Sequence, residues 1–181
     1  MRFGMVGLGR MGSGLVKRAL LAGHECVVYN RHRDRVDALA ASGAEGATSL
    51  QDLAVRLQPP RVVWLMIPAE ATGELVAEFA GLLEPGDAII DGGNSHYRDS
   101  AERAARLAQL GIGFVDVGTS GGVFGLERGF CLMIGGDEAL VRRLEPLFRS
   151  LAPGAEAAPR TPGRSGPFSA AELGYLHCGS S

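Results

Sequence analysis

Short apolar runs alternate with helix-patterned segments along this 181-residue chain, and no other feature restricts its fold as much. "RFGMVGL" (2–8) reads as a buried strand, "RMGSGLVKRALLAG" (10–23) as a helix stopped at Gly23, and "ECVVYN" (25–30) as a second strand. Helix-spaced "DRVDALAASG" (34–43) and "SLQDLAVRL" (49–57) follow. Next come strand "RVVWLMI" (61–67), broken by Pro68, helix "ATGELVAEFAGLL" (71–83), the turn "EPGD" and strand "AIIDGG" (88–93). A helix from Ser95 to about Leu110, strands "GFVDVG" (113–118) and "GFCLMIGG" (129–136), and helix "DEALVRRLEPLFRSLA" (137–152) complete the pattern. Strands separated by helices of this length require right-handed crossovers, so the expected fold class is α/β: a doubly wound, mainly parallel sheet with helices on both faces. After Ala152 the run "PGAEAAPRTPGRSGP" has no apolar period, and 153–181 is expected to be a linker or tail beyond a domain of residues 1–152.

Gly7, Gly9 and Gly12 form G-x-G-x-x-G at the first strand-to-helix junction. There the first glycine turns the chain, the second admits a pyrophosphate to the backbone, and the third lets helix and strand pack. The free N–H groups of the helix start favour phosphate. Residues 1–152 therefore read as an NAD(P)-binding, Rossmann-type domain. At the end of the second strand "YNRHRDR" places neutral Asn30 where NAD sites usually carry an acid, followed by Arg31 and Arg33. A 2′-phosphate would find charge-assisted partners there, so NADP is favoured, with NAD possible.

Eighteen basic against 20 acidic residues give a net charge of −2, which offers no overall attraction to nucleic acid or anionic membrane. The start, "MRFGMVGLGRMG", interrupts its apolar run with glycines, unlike a secretory or membrane-spanning segment, and a cytoplasmic location is expected. Cys26, Cys131 and Cys178 are too dispersed for a disulfide framework, and the first two, in apolar runs, are expected to be core thiols. No metal site is expected, because only His177 and Cys178 are close and no second ligand pair accompanies them.

Ligands of doubly wound sheets sit at the carboxyl ends of the strands, where "MIPAE", "DGGNSHYRD" and "GTSGGVFGLERG" should converge. Asn94, Ser95, Thr119 and Ser120 supply groups for hydroxyls or carboxylates, and Gly92, Gly93, Gly121 and Gly122 permit close approach, which suits a polyhydroxylated acid. Asn94 or Ser95 could also cap the following helix. Residues 118–122 also satisfy the G-x-S-x-G of hydrolases, with Glu127, Asp137 and His177 downstream, but a glycine-broken loop replaces the required helix.

"GLGRMG", "YNR", "DGGNSHYRD" and above all "FVDVGTSGGVFGLERGFCLMIGG" together resemble decarboxylating 6-phosphogluconate dehydrogenase of the shorter bacterial type, from the first residue to about Gly136 and weakly again in "GYLHCGSS". The related 3-hydroxyacid dehydrogenases share the layout but word the serine–glycine–glycine loop differently. "IPAE" departs from the family's usual Pro-Ala-Gly-Glu at Ala69 and Glu70. With the residues already read, the resemblance implies dinucleotide contacts from Gly7, Leu8, Gly9, Arg10, Met11, Gly12, Asn30, Arg31, Arg33, Ile67, Pro68 and Asn94. It implies contacts to 6-phosphogluconate, the sugar acid of the pentose phosphate pathway and gluconate utilisation, from Asn94, Ser120, Gly121 and Gly122. The family's reaction removes a hydride from C3 while a lysine takes the hydroxyl proton, then releases CO₂. The single lysine here, Lys17, lies in the helix after the glycine loop and is not placed for that task. The resemblance puts the catalytic lysine and a helical domain that builds a homo-oligomer beyond Ser181. No catalytic residue is therefore expected within the chain, which alone is expected to be inactive; the alternatives are the coenzyme domain of a related 3-hydroxyacid dehydrogenase and a non-catalytic dinucleotide-binding fragment.

Overall fold

The computed structural model describes residues 1–181. In chain order the elements are β1 (Arg2–Val6), α1 (Arg10–Leu21), β2 (Glu25–Tyr29), α2 (Arg33–Ala40), β3 (Glu45–Gly46), α3 (Leu50–Arg56), β4 (Val62–Leu65), α4 (Ala69–Ala80), β5 (Ala88–Asp91), α5 (Tyr97–Ala108) and β6 (Gly113–Ser120). A 3₁₀ turn at Gly122–Phe124 and α6 (Gly125–Arg128) precede β7 (Cys131–Gly136), α7 (Glu138–Leu151), α8 (Ala170–Leu173) and β8 (Tyr175–Gly179). One eight-stranded sheet runs β3-β2-β1-β4-β5-β6-β7-β8. Every neighbouring pair is parallel except β6 and β7. The doubly wound fold read from the alternation is the fold observed.

Strand side chains alternate between two cores, as the two-residue period of a strand requires. Trp64, Ile90, Val115 and Val117 join the core built with Leu15 and Val16 of α1, Val36 of α2, and Leu144 and Phe148 of α7. Val63, Leu65, Ile89 and Phe114 join the core built with Leu53 of α3, Phe79 of α4 and Leu107 of α5. The continuous apolar runs of β4 and β5 are therefore the mark of strands covered on both faces. Asp137 caps α7 by accepting from the Leu140 N–H at 2.9 Å, and the helix runs through Pro146, whose ring faces solvent.

Several details differ from the sequence reading. β3 is two residues long, too short to register as an apolar run. Helix α5 is capped by His96, whose Nδ1 accepts from the Arg98 N–H, and neither Asn94 nor Ser95 caps it. Cys26 is buried, but Cys131 is exposed, because beyond β6 the second face of the sheet carries no helix and Cys131, Met133, Leu176 and Cys178 all lie open on it. The segment 153–181 is not wholly a linker. Ser169 and Glu172 form a reciprocal capping box on α8, Gly174 closes it in the left-handed conformation, and β8 extends the sheet with Tyr175 buried and its hydroxyl donating to Glu145 at 2.8 Å.

Candidate functional site

Strand order reverses at β1, whose crossover leads outward to β2 while β4 lies on its other side, so a crevice opens at the carboxyl ends of β1 and β4. The loops there touch. A Cβ on Gly7 (φ +94°) would overlap the Met66 carbonyl and stand 2.8 Å from Ile67 Cγ2, and one on Gly12 would overlap the Gly7 carbonyl. These two glycines let α1 sit down on the strands. Gly9 is different: a Cβ there would meet nothing within 4 Å, and its backbone (φ −67°, ψ −173°) suits any residue. It precedes a twelve-residue helix with no side-chain cap and no acidic residue in its first turn. Free N–H groups, positive helix-end potential and empty space beside Gly9 are what a pyrophosphate needs, so the residues present fit a dinucleotide.

At the end of β2 the Asn30 side chain accepts from the Leu8 N–H at 3.2 Å and donates to the His32 carbonyl at 3.3 Å, tying the glycine loop to the β2–α2 turn. Leu8 contributes backbone only; its side chain is buried. Arg33 pairs through Nε with Asp37 at 2.9 Å along the exposed face of α2, whereas Arg31 is exposed and makes no ion pair. Arg35, which the sequence reading passed over, donates to the Leu8 carbonyl at 3.2 Å. It lines a groove of about 460 Å³ with Gly9, Arg10, Ser13 and Lys17. The signal that could have found it is helical spacing: Arg33 lies four residues before Asp37, and Arg35 does not.

At the end of β4, Ile67 and Pro68 lead into α4, with Pro68 at its N-cap and Ala69 and Glu70 in its first turn. After β5, a Cβ on Gly93 would overlap the Ile67 carbonyl, so the "DGGNS" loop leans on the β4 loop. Asn94 is exposed with φ +61°, a conformation that asparagine tolerates better than most residues. Ser95 is committed to Asp91 at 2.7 Å. Ser120 ends β6, four residues past Asp116, the partner of Asp91, so it projects beyond β5 on the same edge as Asn94. Gly121 (φ +144°) and Gly122 (φ +52°) then turn the chain back over α1, with Gly121 close against Phe130. No nucleophile elbow forms. Ser120 leads into a 3₁₀ turn, Asp137 caps α7, and His177 Nε2 sits on the Gly136 and Gly179 carbonyls at 2.8 and 3.0 Å.

A family model described as the NAD binding domain of 6-phosphogluconate dehydrogenase matches residues 2–158. The NAD(+)-dependent decarboxylating 6-phosphogluconate dehydrogenase of Haloferax volcanii is 41% identical over 155 residues, which are 85% of this chain and 51% of the relative. The decarboxylating enzyme of Schizosaccharomyces pombe is 42% identical over 156 residues, 83% of this chain and 32% of the relative. The chain thus spans a third to a half of the length of these curated relatives. Among solved structures, Plasmodium falciparum 6-phosphogluconate dehydrogenase, described with its cofactor NADP+ and its substrate 6-phosphogluconate, superposes with a TM-score of 0.80 at 27% identity, covering 88% of this chain and 36% of that one. Mycobacterium tuberculosis 3-hydroxyisobutyrate dehydrogenase superposes at 0.81 with 23% identity, over 99% of this chain and 55% of that one, which shows a shared fold.

Proposed function

The chain belongs to the family of 6-phosphogluconate dehydrogenase NAD binding domains, and from that premise we propose that it is the NADP-binding half of a decarboxylating 6-phosphogluconate dehydrogenase. The observation that carries the reading is the open cradle at Gly9 on the uncapped start of α1, beside Arg31 and Arg35 and with no carboxylate at position 30. Family membership leaves the nucleotide open, since the Haloferax relative is named NAD(+)-dependent. The two arginines favour the 2′-phosphate: a dianion there replaces water around guanidinium groups that have no carboxylate partner.

In this assignment Gly7 to Gly12 hold the pyrophosphate, Asn30, Arg31 and Arg35 the adenosine end, and Ile67, Pro68 and Asn94 the nicotinamide end. Arg33 stays in the set, with its guanidinium shared with Asp37 through an exposed pair at Nε. Bound NADP+ would accept the hydride from C3 of the substrate. Asn94, Ser120, Gly121 and Gly122, on one edge of the sheet, receive 6-phosphogluconate. The family profile and relatives near 40% identity favour this reading over a 3-hydroxyacid dehydrogenase, whose solved structures match at 23 to 27% identity.

Calorimetric titration with NADP+ and NAD+ at low and moderate salt tests it. Tighter NADP+ binding that weakens with salt is expected. Arg35→Ser should cost NADP+ roughly tenfold and NAD+ little, and Arg33→Ser, whose guanidinium is shared with Asp37, should cost NADP+ less. NAD+ binding tighter than NADP+ would overturn the NADP assignment.

A further inference from the structure

The "DGGNS" loop is held from behind by a buried ion pair. Asp91, at the end of β5, has a side chain only 1% exposed, and its cation is Arg103, twelve residues on in α5 and 15% exposed, at 3.2 Å. The same carboxylate accepts from the Gly93 N–H at 2.9 Å and from Ser95 Oγ at 2.7 Å. Asp91 thus fastens the residues on either side of Asn94. Asn94 itself stands in the left-handed conformation (φ +61°), exposed, with its amide free of hydrogen bonds to the rest of the chain.

We propose that Arg103 is a positioning residue for the reacting end of the site: through Asp91 it sets the backbone of Asn94 and so aims that amide at the nicotinamide and substrate. The inference rests on the assignment of Asn94 made above. A buried carboxylate is stable as an anion only with a cation and full hydrogen bonding. Without Arg103, the buried Asp91 carboxylate lacks its cation, and the water or polar group that it turns toward instead competes with the bonds to Gly93 and Ser95. Asn94 then relaxes from a conformation that its neighbours had enforced. The adenosine end, at the far side of the crevice beside β2, has no part in this chain of contacts.

The full 181-residue chain is titrated with NADP+ and with adenosine 2′,5′-bisphosphate, which carries the adenosine end alone. Arg103→Leu and Ser95→Ala should each weaken NADP+ roughly five- to tenfold while changing the bisphosphate less than about twofold, and Arg103→Lys should restore most of the loss. The Asn94 side-chain amide signals should broaden or shift in Arg103→Leu and stay near their wild-type positions in Arg103→Lys. Equal losses for both ligands, or no loss, overturn the proposal; Ser95→Ala decides it should Arg103→Leu not fold. Asn94→Ala separates the two assignments. A loss there without a loss in Arg103→Leu or Ser95→Ala removes the role of Arg103 alone. An Asn94→Ala variant that binds NADP+ as well as wild type removes the assignment of Asn94 and the inference with it.

Discussion

Gly9 and Gly12 stand three residues apart in one motif and answer to opposite constraints. Protein fills the side-chain position of Gly12, whereas at Gly9 protein leaves that position empty and only the pyrophosphate assigned there would need the room. Gly12→Ala should therefore lower stability by about 2 kcal/mol, since the added methyl overlaps the Gly7 carbonyl. Gly9→Asp should do the reverse. With the extended backbone of an N-cap, the new carboxylate bonds the open N–H groups of α1 and raises stability by up to about 1 kcal/mol, while it occupies and repels the phosphate position. Paired thermal melts and NADP+ titrations read both effects; a variant that is stabilised and still binds would discount the cradle. The cysteines divide on the same principle of surroundings. Burial pushes the Cys26 thiol up to about 12, whereas Cys131 and Cys178 are exposed. At about pH 8 a disulfide reagent should label two thiols in the native chain and the third only after unfolding.

Elements were legible where one physical signal governed them. The runs of β1, β4 and β5 and the helical spacing of α1 and α7 announce themselves because each is buried by its own pattern. β8 is an edge strand whose outward residues, Leu176 and Cys178, face solvent, so no continuous run marks it; the Ser169/Glu172 capping box and Gly174 just before it were the available signal. At the site, the glycine motif could be read from spacing, but the position of Arg35 on the Leu8 carbonyl, beside Arg33 paired with Asp37, could not. The tail's attachment is also testable. Arg160 and the cap at Ser169 hold the Glu172 carboxyl down to about 2, below its ordinary value near 4. A carboxylate depressed in the folded state stabilises fully above its unfolded pKa, and that contribution fades as pH falls through the folded value. Amide exchange in 175–179 should therefore accelerate between about pH 4 and pH 2 relative to β4, and Glu172→Gln should show fast exchange in β8 already at neutral pH. Unchanged protection of β8 in that variant would mean that strand pairing and Tyr175 alone hold the tail.

At the scale of the molecule, binding and chemistry separate. The crevice between the β1 and β4 loops, the β2 turn and the carboxyl edge at Asn94 and Ser120 all come from these 181 residues, so every group assigned above to the dinucleotide is in place within them. Proton transfer is another matter. A general base must lie within hydrogen-bond reach of the hydroxyl it serves. The one lysine, Lys17, lines the groove between α1 and α2 beside Arg35, whereas the loop after β6 that would hold the sugar acid packs on another face of α1, at Gly14 and Arg18. His177 is engaged by two carbonyls, His24 by the N-terminus and Ser150, His32 lies at the β2 turn, and His96, next to the Asn94 loop, caps α5 through Nδ1. The purified chain should therefore bind NADP+ yet form no NADPH from 6-phosphogluconate. NADPH absorbance with substrate in excess checks this, and Lys17→Ala sharpens it. If turnover were seen and survived in Lys17→Ala, lysine-assisted proton removal would be excluded and a group on the Asn94 or Ser120 loop would have to act as the base. If it vanished, Lys17 would have to reach the substrate by a route that the groove beside α1 does not offer.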